Sequence, residues 1–363
     1  MKLQVKTAAL QELLSKVKKG VGGNKLIAIT TMIRLKLEGK TLTAYSTDAT
    51  NFLKVSIGVS ADGEFDQVLN ADSFISLLAK FTCENTEIEC KENYVEVRGN
   101  GIYKMQIPVD ENGNYIKWPE YGFESDSEPI KVELSKIKRV LATNSKALAR
   151  TMEEPCLTGY FFSDKVITSD SYVVVVNDLN VFGGKKLLMT ESYLRLMVAS
   201  EAEALTFQEE GGVLLSKCDG FELFGRVLGG TSGKDYLGQF PEEPINRYIQ
   251  EDFGAECKVS KSGLLEALAR IQLFVGPYDK NKVTLTFSKT GIQIQNKAES
   301  GSELVKYAGV KEFKPFTCGI DIEILKTQVS AQNVEDVTLY YGHETAIKFT
   351  DGNMTQVVSL LED

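Results

Sequence analysis

The chain holds one histidine, one tryptophan and 8 prolines among 363 residues. A lone histidine allows at most one Ser/His/Asp or Cys/His arrangement, and His343 stands in Tyr341-Gly342-His343-Glu344, which reads as a solvated hairpin turn. A hydrolase pairing His343 with a cysteine or serine is the rival reading, and replacing His343 would test it. Cysteine is sparse and scattered. Cys83, Cys90, Cys156, Cys218, Cys257 and Cys318 form no CxxC pair and have no histidine beside them, so they read as buried thiols, not as a zinc site or disulfide framework. No run of 18 apolar residues exists, and Met1-Lys2-Leu3-Gln4-Val5-Lys6 alternates in place of a charged-then-apolar leader. The expectation is a cytoplasmic protein with neither membrane span nor export signal. A complete phosphate loop is also missing: in Gly229-Gly230-Thr231-Ser232-Gly233-Lys234 the required first glycine is Leu228, and Asp235 replaces the hydroxyl after the lysine. No cofactor, metal or catalytic group is expected, and the chain does not read as an enzyme.

What is present is repetition. Helical spacing of apolar residues with few acids occurs at Ala8 to Lys19, Leu134 to Arg150 and Val259 to Phe274, each followed by strand-like alternation. A shorter helix then recurs at Ala71 to Lys80, Thr190 to Ser200 and Asp321 to Ser330, each opened by a polar residue suited to an N-cap or first turn. Hairpin signals follow at Asn100-Gly101, Asp219-Gly220 and Asp351-Gly352. From the first copy to the second, the short helix (71 to 190) and the hairpin (100 to 219) both move 119 residues; the next steps are 131 and 132. Four element types in the same order three times predict an α+β chain of three similar domains, near 1–128, 129–247 and 248–363. The boundaries fall in the acidic stretch from Tyr121 to Pro129 and near Gln239 to Pro244, where patterning lapses.

The net charge of −9 argues against nucleic acid until its distribution is considered. The three long-helix windows carry ten basic residues (Lys16, Lys18, Lys19, Lys136, Lys138, Arg139, Lys146, Arg150, Lys261, Arg270) and two acids (Glu12, Glu266), leaving the other 318 residues at −17. One recurrent helix is therefore a candidate phosphate-facing surface. No aromatic residue interleaves with the lysines, which favours sequence-independent backbone contact over base stacking.

Over essentially its full length the chain resembles the bacterial DNA polymerase III β subunit, the β sliding clamp. The resemblance rests on Met1-Lys2-Leu3 with its amphipathic helix and Gly22-Gly23, on Ser46-Thr47-Asp48, on Leu69-Asn70-Ala71-Asp72-Ser73-Phe74, and on Thr86-Glu87-Ile88 with Tyr94-Val95-Glu96-Val97. Further signposts are Leu157-Thr158-Gly159, Thr168-Ser169-Asp170, Phe240-Pro241 and Gln356-Val357-Val358. It implies a DNA clamp fold, with two helices per domain facing a central pore and antiparallel sheets outside. It also implies a head-to-tail homodimeric ring that encircles double-stranded DNA, tethers the replicative polymerase and is opened by a clamp loader. Twelve helices spaced about 10 Å apart enclose a ring of axes about 38 Å across, leaving a hole of about 28 Å that admits a duplex.

The family's partners insert a peptide into a cleft between the second and third domains. Position by position, that implies Leu157, Ser169, Ser171, Tyr172, Val173, Val174, Pro241, Ile347, Val357, Val358, Ser359, Leu360 and Leu361, whose apolar walls and hydroxyls suit Leu and Phe anchors. DNA contact would fall to the basic residues of the long helices with Asn24, Lys25, Lys80 and Arg195, and the ring joint to Tyr103 with Leu273, Phe274 and Tyr278. Two departures stand out. Asp170-Ser171-Tyr172-Val173-Val174 replaces the family's Asp-Gly-His-Arg-Leu run, and the tail reads Ser359-Leu360-Leu361-Glu362-Asp363 where the family has a proline, which would fit a divergent, virus-encoded member with a cleft tuned to different peptides. The rival within this fold is a protein scaffold acting in transcription or repair without encircling DNA.

Overall fold

The computed structural model describes residues 2–60, 64–276, 278–311 and 313–362. One element order runs through the chain three times. The first copy comprises β1 (Lys2–Lys6), α1 (Thr7–Lys18), β2 (Met32–Glu38), β3 (Thr41–Thr47), β4 (Phe52–Gly58), β5 (Phe65–Asn70), α2 (Ala71–Leu78), β6 (Asn85–Cys90), β7 (Tyr94–Arg98) and β8 (Ile102–Gln106). The second comprises β9 (Ile130–Glu133), α3 (Leu134–Thr143), β10 (Tyr160–Phe162), β11 (Val166–Ser169), β12 (Val173–Asn177), β13 (Leu187–Met189), α4 (Glu191–Ala199), β14 (Ala204–Glu210), β15 (Val213–Cys218) and β16 (Phe221–Arg226). After α5 (Glu242–Ile249) the third follows: β17 (Gly254–Ser260), α6 (Lys261–Gln272), β18 (Lys282–Phe287), β19 (Gly291–Asn296), β20 (Ser302–Val310), β21 (Phe316–Asp321), α7 (Ile322–Ala331), β22 (Asp336–Gly342), β23 (Ala346–Thr350) and β24 (Met354–Ser359). The chain is α+β, and all strand pairs among the described residues are antiparallel. The expected boundary at 128/129 falls between β8 and β9, and that at 247/248 falls inside α5.

Compactness divides the chain differently from the repeat. One unit holds the described residues up to Ser135 with Ser192–Lys234, and the other holds Lys136–Glu191 with the described residues from Asp235 on. The second copy is thus shared: its β9, β14, β15 and β16 complete sheets of the first unit, and its β10 to β13 those of the second. The first unit contains a four-stranded sheet, β1-β6-β7-β8, and an eight-stranded sheet, β5-β2-β3-β4-β16-β15-β14-β9. The second contains one twelve-stranded sheet, β13-β10-β11-β12-β24-β23-β22-β17-β20-β19-β18-β21. In each unit the fourth sheet strand of one copy pairs with the last strand of the next, β4 with β16 and β12 with β24.

Each long helix buries one stripe. Leu10, Leu13, Leu14 and Val17 of α1 are sealed, and Gly20 just beyond lets the chain pass close to β3, since a Cβ there would lie 2.5 Å from Ser46 Oγ. The Gln11 amide donates to the carbonyls of Leu78 (2.8 Å) and Phe81 (3.0 Å), fastening α1 to the end of α2. In the third copy Leu264, Ala267, Leu268 and Ile271 of α6 enter a core shared with Leu325 and Val329 of α7. Glu335 accepts from the Ser260 hydroxyl and from the Ser262 hydroxyl and backbone N–H at the α6 N-terminus, and these bonds hold its carboxyl down to about 2.

The helix expected over 134–150 is shorter. It stops at Thr143 and tightens into a 3-10 turn over Asn144–Ala147. Asn144 is fully buried and donates to Thr168 Oγ1 (3.1 Å) and the Val175 carbonyl (3.2 Å), while the Asn177 amide donates to its Oδ1 (2.6 Å). A buried amide that must satisfy its own bonds turns the backbone off the helical path. All six cysteines are free, and burial pushes the Cys257 and Cys318 thiols up to about 12. No helix among the described residues is long and apolar enough to cross a membrane.

Candidate partner cleft and basic helices

All the predicted cleft residues lie in the second unit, around the β12–β24 pairing. Pleating sorts them into two rows. Val173 stands opposite Val358, which stands opposite Ile347; these three are at most 1% exposed and face the helical core. Val174, Val357 and Lys348 form the next row on the opposite face. The implied contacts to Val173, Ile347 and Val358 are therefore corrected: a bound segment cannot reach their side chains. Leu157 and Ser169 are also buried. Val174, Pro241, Ser359, Leu360 and Leu361 are half-buried, Ser171 and Tyr172 are exposed, and Val357 is closed under the Tyr248 and Phe253 side of the sheet.

The β11–β12 turn holds its shape through Asp170, whose carboxylate accepts from the N–H groups of Tyr172 (3.0 Å) and Val173 (2.7 Å). Ser171 occupies the left-handed region with φ 74°, and its hydroxyl donates to Glu154 (3.0 Å). The tail closes onto this end of the sheet. Ser359 N–H donates to the Tyr172 carbonyl (2.9 Å), Leu360 N–H to Thr345 (2.8 Å) and Leu361 N–H to Gly319 (2.9 Å), while Lys282 donates to the Glu362 carbonyl (3.0 Å).

His343 reads from sequence as a solvated turn residue, but the fold gives it ring partners. It stacks on Phe253 (centroids 4.8 Å apart) and meets Tyr248 edge-on; its Nδ1 accepts from the Thr345 N–H (3.2 Å), leaving Nε2 to face Glu251 (3.3 Å). Lys348 beside it sits between the rings of Phe253 (4.3 Å) and Tyr340 (4.9 Å) and donates to the Ile249 carbonyl (3.2 Å) at the end of α5. Burial pulls its ammonium below the usual lysine range. These long-range contacts pin α5 to the sheet, and no local pattern announces them.

The equivalent junction in the first unit was not singled out from sequence. There Phe52 stands opposite Phe224 on β4 and β16, and Tyr121 lies between them, 4.5 Å and 4.6 Å from the two rings. The Tyr121 hydroxyl is buried without a hydrogen-bond partner among the described residues. The preceding turn repeats the Asp170 geometry: Asp48 accepts from Thr50 (2.9 Å) and Asn51 (2.7 Å) N–H groups, and Ala49 is left-handed at φ 77°.

The predicted basic residues divide by ion pairing. Lys16 is 3.0 Å from Glu12 and 3.9 Å from Glu201, Lys19 is 3.5 Å from Glu201, and Arg150 is 3.8 Å from Glu191. Arg270 bonds both Glu303 oxygens and reaches Glu266 at 3.5 Å, so its charge is spent within the fold. Lys261 turns back to the Gln332 carbonyl. Lys136 and Arg195, on α3 and α4, are likewise engaged with neighbours. By contrast, Lys18, Lys25, Lys80, Lys138 and Lys146 are exposed with no ion-pair partner among the described residues. Asn24 uses its side-chain oxygen on the Leu26 N–H, and Arg139 keeps a buried Nε without a partner among the described residues.

The edges left open by the described pairings include those of β8 and part of β20. β8 pairs only β7, and on it Ile102 is 67% and Tyr103 38% exposed. On β20, Ser302 to Lys306 pair β19 on one side, and β17 takes the other side only from Tyr307 onward. Leu273, Phe274 and Tyr278 lie exposed after α6, with Phe274 against Gly301 at the start of this edge.

Residues 1–118 match the model of the DNA polymerase III beta subunit N-terminal domain. No curated protein matches the chain by sequence. Among solved structures, the beta subunit of the Streptococcus pyogenes DNA polymerase is similar over the whole of both chains, with a TM-score of 0.87 at 15% identity. The DNA polymerase III subunit beta from Pseudomonas aeruginosa gives 0.86 at 14%, again over both whole chains, and that from Thermotoga maritima gives 0.83 at 15%, covering 100% of this chain and 99% of the other. From its first described strand to its last, the chain has the fold of bacterial DNA polymerase III β subunits.

Proposed function

We propose that this protein is a DNA sliding clamp: a head-to-tail homodimeric ring that encircles duplex DNA and tethers a polymerase for processive synthesis. One observation carries the assembly. The junction between copies is made twice within the chain, β4 with β16 and β12 with β24, and the repeat leaves one such pair unmade, β20 with β8. Those two strands keep open edges and exposed apolar side chains, as a third junction between chains requires. Tyr103 on β8 and Leu273, Phe274 and Tyr278 beside β20 are the interface residues.

The ring would hold DNA by topology, with no reaction to catalyse. Lys18, Lys25, Lys80, Lys138 and Lys146 are the proposed phosphate contacts, because their charges are not spent inside the fold. Such contacts are weak, sequence-independent and salt-screened, which permits sliding. The ion-paired Lys16, Lys19, Arg150 and Arg270 contribute less. These unspent lysines favour an encircling clamp over a scaffold that binds only proteins. Polymerase and other partners would dock by short peptides at the cleft bounded by Val174, Tyr172, Pro241 and Ser359 to Leu361, and a clamp loader would open the ring. The setting is the cytoplasm.

The test is negative-stain electron microscopy of the purified protein with its solution mass. A two-chain ring with a central hole is expected. A monomer at every concentration, unchanged by introducing a charge at Ile102, would refute the edge-to-edge joint. On closed circular DNA, replacing Lys18, Lys138 and Lys146 with glutamate should weaken retention without dissociating the ring.

A further inference from the structure

We propose that the joint between chains closes in one register, with Tyr103 of one chain directly opposite Gly301 of the next, so that Tyr103 packs on Phe274 across it. This rests on reading β8 and β20 as the ring joint. The register follows from the repeat. Two residues before α2, α4 and α7 stand Leu69, Met189 and Ile320; two residues before α1, α3 and α6 stand Val5, Val132 and Val259. Followed across the ladders, the first set leads to Leu53, Val175 and Gly301, in the third copy by way of Val283 and Asn296. The second set leads, two residues further along β6, β14 and β22, to Tyr103, Leu223 and Gln356. Leu53 does stand opposite Leu223, and Val175 opposite Gln356. Both internal junctions thus obey one rule, and for the third junction the same rule joins Gly301 to Tyr103, with Ser302 beside Ile102.

The side chains fit this pairing. Leu53, Leu223, Val175 and Gln356 are all fully buried, so the row through each internal junction is a core row. Tyr103 continues the sealed row Leu3, Ile88, Val97 of its own sheet and lies 5.5 Å from Phe81, just after α2. Gly301 brings no side chain to its row, and the Phe274 ring fills the place, 3.1 Å from where a Cβ would stand. Both rings are left uncovered in the single chain, Tyr103 38% and Phe274 52% exposed. Directly opposed positions on neighbouring strands lie about 5 Å apart, so this register brings the two rings together, an aromatic pair covering a glycine at a sheet edge. A slip of one residue would turn Tyr103 away from the row it extends.

Cysteine pairs in the full chain test this. Ile102→Cys with Ser302→Cys puts two thiols at opposed positions, whereas a partner thiol at Ser300 or Leu304 is displaced by two residues to about 7–8 Å, beyond disulfide reach without backbone movement. Under mild oxidation, and corrected for the single-cysteine parents, the 102/302 pair should form the covalent two-chain band at least about tenfold faster than the 102/300 or 102/304 pair. Faster linking of a displaced pair, or no preference, overturns the register while leaving a ring closed through these strands. In a double-mutant cycle read by dimer dissociation, Tyr103→Ala and Phe274→Ala should be coupled by about threefold or more. Losses that simply multiply mean that the rings do not meet, and also overturn the inference. A chain that stays monomeric at every concentration, with no linked band from any pair, means that the joint reading itself fails.

Discussion

The two junctions within the chain share a backbone and differ in what fills them. In the first unit Phe52 and Phe224 face each other across β4 and β16, with Tyr121 wedged between. In the second unit the corresponding pair is Val174 and Val357, and Tyr248 is drawn toward Phe253, His343 and the Thr345 hydroxyl (3.0 Å). The difference is one of volume. Three aromatic rings fill the first junction, whereas in the second two smaller valines pack with Tyr248 and Phe253, Val174 half-buried and Val357 2% exposed. The repeated fold thus fills the same pleat row in two ways, through side-chain size alone.

The largest effect should come from opening the sealed junction. Tyr121→Ala removes the central ring and should cost about 3 kcal/mol in urea denaturation, and Tyr248→Ala clearly less, because it removes edge contacts from a Phe253–His343 stack that remains in place. A Tyr248 variant as costly as the Tyr121 variant would erase the distinction. Sealing the open junction comes next. Val174→Phe copies the first junction into the second and should weaken peptide binding by at least about tenfold, or 1.4 kcal/mol, with the melting temperature nearly unchanged.

Smaller effects sharpen the comparison. Ala49→Gly and Ser171→Gly relieve left-handed backbone at the two matching turns, and each should raise stability by about 0.5–1 kcal/mol. Tyr121→Phe deletes a buried hydroxyl with no partner and should be neutral or stabilising by a few tenths of a kcal/mol. Least affected is the exposed Glu335, whose carboxyl is held down near 2 from an ordinary 4.5. A depressed folded value stabilises above the unfolded value and is lost as pH falls through the folded one, so Glu335→Gln should lower stability at pH 7, with the deficit vanishing between about pH 4.5 and 2.

Much of this organisation was legible beforehand, for identifiable reasons. Asn100-Gly101, Asp219-Gly220 and Asp351-Gly352 fall between β7 and β8, β15 and β16, and β23 and β24, because tight hairpins need the turn chemistry of their own residues. Leu10, Leu13, Leu14 and Val17 announce α1 by spacing alone. What local patterning misses is set across long sequence distances. The uniform valines from Val173 to Val176 do not distinguish the two faces of the strand, and only pairing with β24 decides which face meets the helices. Tyr121 lies in an unpatterned acidic stretch, and its partners are 69 and 103 residues away. Arg270 reads as a free cation until Glu303, 33 residues on, is folded beside it.

The open edges of β8 and β20 have a consequence for direction. β8 and β20 are unlike strands, so a ring closed through them has every chain pointing the same way around the hole. By symmetry such a ring would have two different rims, and the Tyr172 turns of both chains would lie at the same level between them. A threaded duplex would pass from one kind of surface to another, so anything docked at the clefts would acquire a fixed heading along the DNA.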